Sequence, residues 1–410
     1  MRRTWFAAVL VCTALPACAA SASAATYGYD DDTVIVQFRP GTSAIQKNAV
    51  LGGATVIGTI NGLGADVVRV SRDPAVVAAV LNRSALVRYA EVNKTLRASA
   101  IPNDARFGEL YGLNNTGQGG GTPDADIDAP EGWDLAGLGT FPNSGGVKVG
   151  IVDTGILATH EDLTGKLANC AQSRGLGGLL SGSIQEGSCA DDNSHGTHVS
   201  GTITGNANNG KGVAGVAFNS PIAMCRALGG PLGSGSTADV ANCITWLKDK
   251  GASVISMSLG GGASTTLQNA VNYAWQNGNG ALIVAAAGND GDSTQNYPAA
   301  YAQVVSVAAT DNKDARASFS NANADVEIAA PGVDVLSSTN SSNTSYGLKS
   351  GTSMATPHVA GVGALIRTRN PTFTAAQART KLDAAVDDLG AAGRDQQFGF
   401  GRVNLVKAMS

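Results

Sequence analysis

The chain has 410 residues, 43% hydrophobic and 15% charged, with a formal net charge of −4, a balance that excludes an acidic or basic disordered chain. Its 53 glycines follow no Gly-x-y period and form no low-complexity tract, which excludes collagen and flexible linkers and points to many tight turns. Residues 1–100 hold 10 Lys/Arg against 6 Asp/Glu, and residues 101–410 hold 18 against 26, so the body is mildly acidic and a poor partner for nucleic acid.

At about 150 residues per domain, the length suggests two or three folding units. Arg2 and Arg3 precede an apolar stretch from Trp5 to Ala20, and Ala22-Ser23-Ala24 offers an A-x-A cleavage site. Residues 1–24 therefore read as a secretory signal peptide and the chain as an exported protein. The apolar stretch, broken by Pro16, is too short for a membrane span, and no later segment is long and apolar enough. Leu15-Pro16-Ala17-Cys18 loosely matches a lipoprotein cleavage box, so lipid anchoring at Cys18 stands as the minor alternative to free secretion.

Cys12 and Cys18 leave with the signal, and Cys170, Cys189, Cys225 and Cys243 remain. An even number in an oxidising compartment suggests two disulfides, with three possible pairings. Cys170–Cys189 with Cys225–Cys243 is favoured, because both bridges close short loops around distinct segments. The absence of C-x2-C spacing argues against zinc.

Residues 25–100 form a small α+β unit. Strands are expected at 33–38, 65–70 and 87–92, with helices at 43–51 and 73–83, the second capped by Asp73 with Pro74 at its first position. Roughly 65 residues lie near the lower limit for independent stability. From residue 147 the pattern changes. Apolar runs at 147–152, 221–228, 253–259, 281–287, 304–309 and 326–330 suit parallel strands buried on both faces. Helices are expected between them at 237–250 and 265–278, and later at 356–369. The alternation gives an α/β domain of three layers over 101–410, with a mostly parallel central sheet and its active site off the carboxyl ends of the strands.

Three segments carry chemistry. Ile151-Val152-Asp153-Thr154-Gly155 ends a buried strand in a carboxylate. Asn193-Ser194-His195-Gly196-Thr197-His198 opens a helix with a histidine, Ser194 being the expected cap. Ser350-Gly351-Thr352-Ser353-Met354-Ala355-Thr356-Pro357-His358 puts a serine at a helix mouth. Each alone is an ordinary turn or cap. Together they supply a nucleophile, a base to take its proton, and a carboxylate to orient the base. Gly288-Asn289 ends another buried strand, and Asn289 offers an amide donor for a developing oxyanion, beside the backbone N–H of Ser353.

The order Asp, His, Ser differs from that of chymotrypsin and of α/β-hydrolases. The segments D-T-G, H-G-T-H-V-S-G-T and G-T-S-M-A-T-P-H-V-A-G resemble those of the subtilisin-like serine proteases (subtilases), especially the thermitase branch, and the resemblance covers residues 101–410. It implies a subtilisin-like fold, a triad of Asp153, His195 and Ser353, and Asn289 as oxyanion donor. Residues 25–100 are similar to the family's inhibitory propeptides. This implies a self-processing zymogen whose propeptide tail occupies the cleft and is cut between about Thr95 and Asn103. His198 and His358 read as structural members of the motif helices.

Protein or peptide substrate is expected as an extended strand between Gly233-Ser234-Gly235 and Ser258-Leu259-Gly260, with Ala287 and Gly288 in the wall of the specificity pocket. That small apolar wall suits a large hydrophobic residue, whereas Asp290 at its edge would favour a basic one. The resemblance also implies structural calcium, held by Asp104, Asp162, the Asn209 side chain and the carbonyls of Ala207, Lys211 and Val213. Asp191 and Asp192 precede a helix start, where acids are common without a metal. The stretch from Cys170 to Asn193 reads as a surface loop, and the protein as a monomer.

Overall fold

The structure, a computed structural model, describes residues 29–94, 100–173 and 183–410. The expected signal peptide, residues 95–99 of the expected cleavage segment and residues 174–182 of the expected surface loop lie outside the described residues. The chain divides into two units, Met1–Arg97 and Ala98–Ser410.

The first unit runs β1 (Tyr29–Phe38), α1 (Ala44–Leu51), β2 (Thr55–Ile60), β3 (Ala65–Arg69), α2 (Pro74–Leu81), β4 (Val87–Lys94). Its antiparallel sheet has the order β2-β3-β1-β4. Ser43 and Gln46 close a capping box at the start of α1, and the Asp73 side chain accepts from the Ala75 N–H ahead of α2. Val34, Val36, Phe38, Val68, Leu81 and Val87 form the core. Strand β2 has no counterpart among the expected elements. None of its side chains is fully buried, so this edge strand shows no inside-outside alternation.

The second unit contains α3 (Ala129–Leu135), β5 (Val149–Asp153), β6 (Leu167–Gln172), β7 (Gln185–Glu186), α4 (His195–Thr204), β8 (Ile222–Arg226), α5 (Thr237–Asp249), β9 (Val254–Met257), α6 (Thr265–Gln276) and β10 (Leu282–Ala286). It continues through β11 (Val304–Thr310), β12 (Val326–Pro331), β13 (Val335–Ser338), β14 (Tyr346–Lys349), α7 (Thr352–Arg369), α8 (Ala375–Asp383), β15 (Val386–Asp387), β16 (Arg402–Val403) and α9 (Leu405–Met409).

Among the described residues, ten strands form one sheet in the order β15-β16-β12-β11-β10-β9-β5-β8-β6-β7. Its ladders are parallel except at the two ends, β6–β7 and β15–β16. Every residue of β5, β9, β10, β11 and β12 is buried. Along β5, Ile151 enters the core shared with α4 and α7, while Val152 enters the core shared with α5 and α6. That is the three-layer α/β arrangement, and it explains the unbroken apolar runs.

One departure concerns the segment after β5. The stretch from Cys170 to Asn193 is not loop throughout: it begins inside β6, and Gln185–Glu186 pairs antiparallel with that strand. Sulfur bridges join Cys170 to Cys189 and Cys225 to Cys243. Among the described residues, no helix is long and apolar enough to cross a membrane.

Candidate active site

Strand β5 ends on Asp153, which is fully buried. Its Oδ1 accepts from the Thr154 N–H at 2.7 Å and lies 2.8 Å from His195 Nδ1. His195 opens α4. Burial alone would depress its imidazole, but the charge and hydrogen bond of Asp153 outweigh burial and hold its pKa above the ordinary 6.5. Lys349 pulls the same ring downward and Asp191 upward. With the Nδ1 proton held against the carboxylate, Nε2 is the nitrogen left to accept a proton.

Ser353 lies one residue inside α7, because the helix starts at Thr352, four residues earlier than expected. Pro357 consequently sits in the helix interior, where it has no N–H for the carbonyl four residues back. That carbonyl is Ser353's own, and it accepts from Ser258 Oγ at 2.8 Å. The Ser353 hydroxyl in turn donates to the Ser258 carbonyl at 3.3 Å, and no described hydrogen bond joins it to His195. The turn that bears Ser353 is thereby tied to the end of β9.

Beyond β10, Asn289 Oδ1 accepts from the Thr352 N–H at 2.8 Å and from Thr352 Oγ1 at 3.0 Å. Fixing the oxygen fixes the opposite end of the amide. A methyl group placed on Gly351 would lie 3.6 Å from Asn289 Nδ2 and 3.6 Å from the Ser353 nitrogen, so these two donors lie close to one another beside Gly351. Sequence reasoning missed Thr352 as a partner of Asn289, although a hydroxyl residue directly before the expected nucleophile Ser353 was the available signal.

A cleft of about 580 Å³ opens beside His195. Gly233, Ser234, Gly235, Ser258, Leu259 and Gly260 all line it, over a floor that includes Leu228, Val240, Leu267 and Tyr297. Ala287 and Gly288 are buried and do not belong to this lining. Asp290 is exposed, and its carboxylate accepts from Asn321 Nδ2 at 3.3 Å. His198 is buried with Nε2 at the carbonyls of Val335 and Gly347, and burial depresses its pKa to about 3. His358 is buried against the Met354 carbonyl, and burial depresses its pKa to about 4. Both rings are neutral spacers.

The residues named for calcium gather at one place. Asp104 and Asp162 are buried, and the Asp104 carboxyl is raised by burial and by the charge of Asp162. Asn209 Nδ2 bridges to Asp162 Oδ1 at 2.8 Å, while Asp162 Oδ2 accepts from the Val213 N–H and from Tyr346 Oη. Two buried carboxylates, an amide and a carbonyl-bearing loop are an oxygen set that fits a hard cation. In this structure the Asp162 oxygens are occupied by N–H and O–H donors, so Asn209 and Tyr346 would turn to admit one.

Residues 144–401 match the family model described as the Subtilase family. The chain belongs to that family. Residues 16–93 match a second model, the Fervidolysin N-terminal prodomain. The chain is 37% identical over 388 residues to the thermophilic serine proteinase of Bacillus sp. strain AK1, covering 93% of this chain and 88% of that one. It is 40% identical over 284 residues to thermitase of Thermoactinomyces vulgaris, covering 69% and 93%. Among solved structures, a protease from Pseudoalteromonas arctica superimposes with a TM-score of 0.65 at 32% identity, covering 75% of this chain and 98% of that one. The subtilase is thus a serine protease of subtilisin-like fold preceded by a prodomain.

Proposed function

We propose that this subtilase is a secreted endopeptidase made as a self-processing zymogen. Residues 1–24 direct export, residues 25–100 act as a self-cleaved inhibitory propeptide, and residues 101–410 are the catalytic domain. Ser353 attacks the peptide carbonyl, His195 moves the proton to the leaving amine, and Asp153 orients the ring and stabilises the imidazolium. Asn289 and the Ser353 N–H stabilise the oxyanion. The glycine-bearing edges of the cleft take the substrate as an added strand. The observation that carries this reading is the pairing of buried Asp153 with the partly exposed ring of His195, 2.8 Å apart, at the rim of the cleft that the glycine-bearing edges line.

Asp104, Asp162, Asn209 and the carbonyls of Ala207, Lys211 and Val213 would hold calcium, which when bound supplies positive charge between two buried carboxylates and no step of the chemistry. The test of the whole reading compares wild type with Ser353→Ala, each expressed with its leader. Wild type is expected to lose about 75 residues beyond the leader by intact mass, half the usual size of a domain, and to digest casein. The variant is expected to keep its propeptide and stay inert. Identical processing of both, with casein intact in both, overturns the proposal.

A further inference from the structure

We propose that Asp191 is a positioning residue for the Asp153–His195 pair, its carboxylate latching the strand end that carries the acid to the helix start that carries the base. The inference rests on the triad reading above.

Helix α4 lacks the cap its sequence promises. Ser194 adopts φ 86° and makes no capping bond. Asp191, three residues earlier, takes over. Its Oδ1 accepts from Thr154 Oγ1 at 2.8 Å and from the N–H groups of Asn193 and Ser194 at 2.9 Å. Its Oδ2 accepts from the Thr197 N–H at 2.9 Å and from Thr197 Oγ1 at 2.6 Å. Five donors from three segments meet one side chain.

Two of those donors are hydroxyls, and each hydroxyl has a single proton. Because Thr154 gives its proton to Asp191, its oxygen is free to accept, and it takes the Gly196 N–H at 2.9 Å. Because Thr197 does the same, its oxygen takes the Leu157 N–H at 3.0 Å. Thr154 follows the acid Asp153, and Gly196 follows the base His195. The carboxylate thus sets the direction of two relays that cross between the segment following β5 and α4 in opposite senses.

The fit between those elements leaves no slack. A methyl group on Gly196 would come within 2.2 Å of the Gly155 carbonyl. Only an acceptor-only group serves all five donors; an amide in its place would turn N–H against N–H. The neighbouring Asp192 does other work, holding Arg226 and the Gly230 N–H at the edge of the cleft. Charged groups acting on His195 are Asp153 and Asp191 on one side of the balance and Lys349 on the other.

The test uses the full chain after maturation, with kcat taken per active site titrated by a fluorophosphonate, so that misfolded molecules are not counted. Asp191→Asn is expected to lose about 10- to 100-fold in kcat, the scale of a small misplacement of reacting groups, with KM little changed. Its acid limb should move to lower pH, since His195 loses an anionic neighbour. Thr154→Val should lose a similar factor, Thr154→Ser should recover most of it, and Asp191→Asn with Thr154→Val should be no worse than either alone. Wild-type kcat and acid limb in Asp191→Asn overturn the latch, as do losses that multiply in the double variant. Should Asp191→Asn yield no titratable enzyme, the Thr154→Val and Thr154→Ser pair decides: equal activity of both overturns the proposal. Turnover surviving in His195→Ala would sink the triad reading itself, whereas an inert His195→Ala beside a normal Asp191→Asn sinks only the latch.

Discussion

The sheet of residues 29–94 shares one core with α1 and α2, whereas the sheet of the second unit feeds a separate core on each face. The consequence is visible in what stays outside. Ile45, Val56, Ile57, Leu63, Val76 and Val80 account for six of the ten large apolar side chains that the described residues leave exposed, although the small unit is a minor part of the chain. A sheet covered on one side by two short helices runs out of buried surface, and a chain of roughly 65 residues hides only about 60% of what it exposes when unfolded. The catalytic unit hides whole strands. One unit is built to be marginal, the other to persist.

The same chemical change in each core tests this contrast most severely. Phe38→Ala and Phe218→Ala each remove a buried ring at a cost of about 3–5 kcal/mol. Phe38→Ala is expected to unfold the first unit, while Phe218→Ala, in the cluster with Trp133 and Phe141, lowers the melting temperature of a catalytic unit that stays folded. Hydrogen exchange by mass spectrometry, with both variants made in the uncleaved Ser353→Ala background, reads both units at once, and equal protection of the two units in both variants breaks the comparison. Next in size, Asn289→Ala should cost about 10²- to 10³-fold in kcat on a peptide amide, with KM and melting temperature little altered. A loss confined to KM would mean that the amide holds substrate and not the oxyanion.

Chelation sharpens the comparison from another side. Removing calcium with EGTA should lower the melting temperature of the catalytic unit by an amount worth about 2–3 kcal/mol when the ion is present at 100 times its Kd. In the uncleaved Ser353→Ala protein the first unit should not respond, and Asp162→Ala should abolish the difference. Identical melts with calcium and with EGTA would remove the ion from the account. The smallest effect concerns pH. The raised pKa of His195 places the acid limb of kcat/KM above pH 6.5, since activity needs the neutral ring and appears only as pH rises through that value. Lys349→Met removes a charge that lowers this pKa, so the limb should move to still higher pH. A shift in the other direction would contradict the electrostatics given for the site.

What could be read from residues alone follows burial. The continuous apolar runs at β5, β8, β9, β10, β11 and β12 marked the sheet, and Asp153, His195, Asn289 and Ser353 stood out because each sits at an element's end. Strand β2 was illegible because its residues face water, and β6 because only Ala171 among its residues is fully buried. The start of α7 was misjudged because Pro357 reads as a first-turn residue; the Ser258 hydroxyl, nearly a hundred positions away, satisfies the carbonyl that proline leaves over. Ser194 looked like the cap of α4 by adjacency, yet the side chain that takes the N–H groups at its start is Asp191, which Thr154 reaches from just beyond the end of β5. Local signals name the residues. Long-range bonds decide their jobs.

One feature of the cleft bears on how long the enzyme lasts. The bridge from Cys225 on β8 to Cys243 on α5 encloses the segment that forms one edge of the cleft. At its tip Leu232 is 91% exposed beside Pro231, the kind of projecting loop that proteases nick. An endopeptidase in solution lives among copies of itself, so this tip is a target for its own kind. A cut there opens the ring but leaves both fragments joined through the Cys225–Cys243 bridge. Self-digestion at this edge therefore leaves a molecule that runs as one piece until reductant is added.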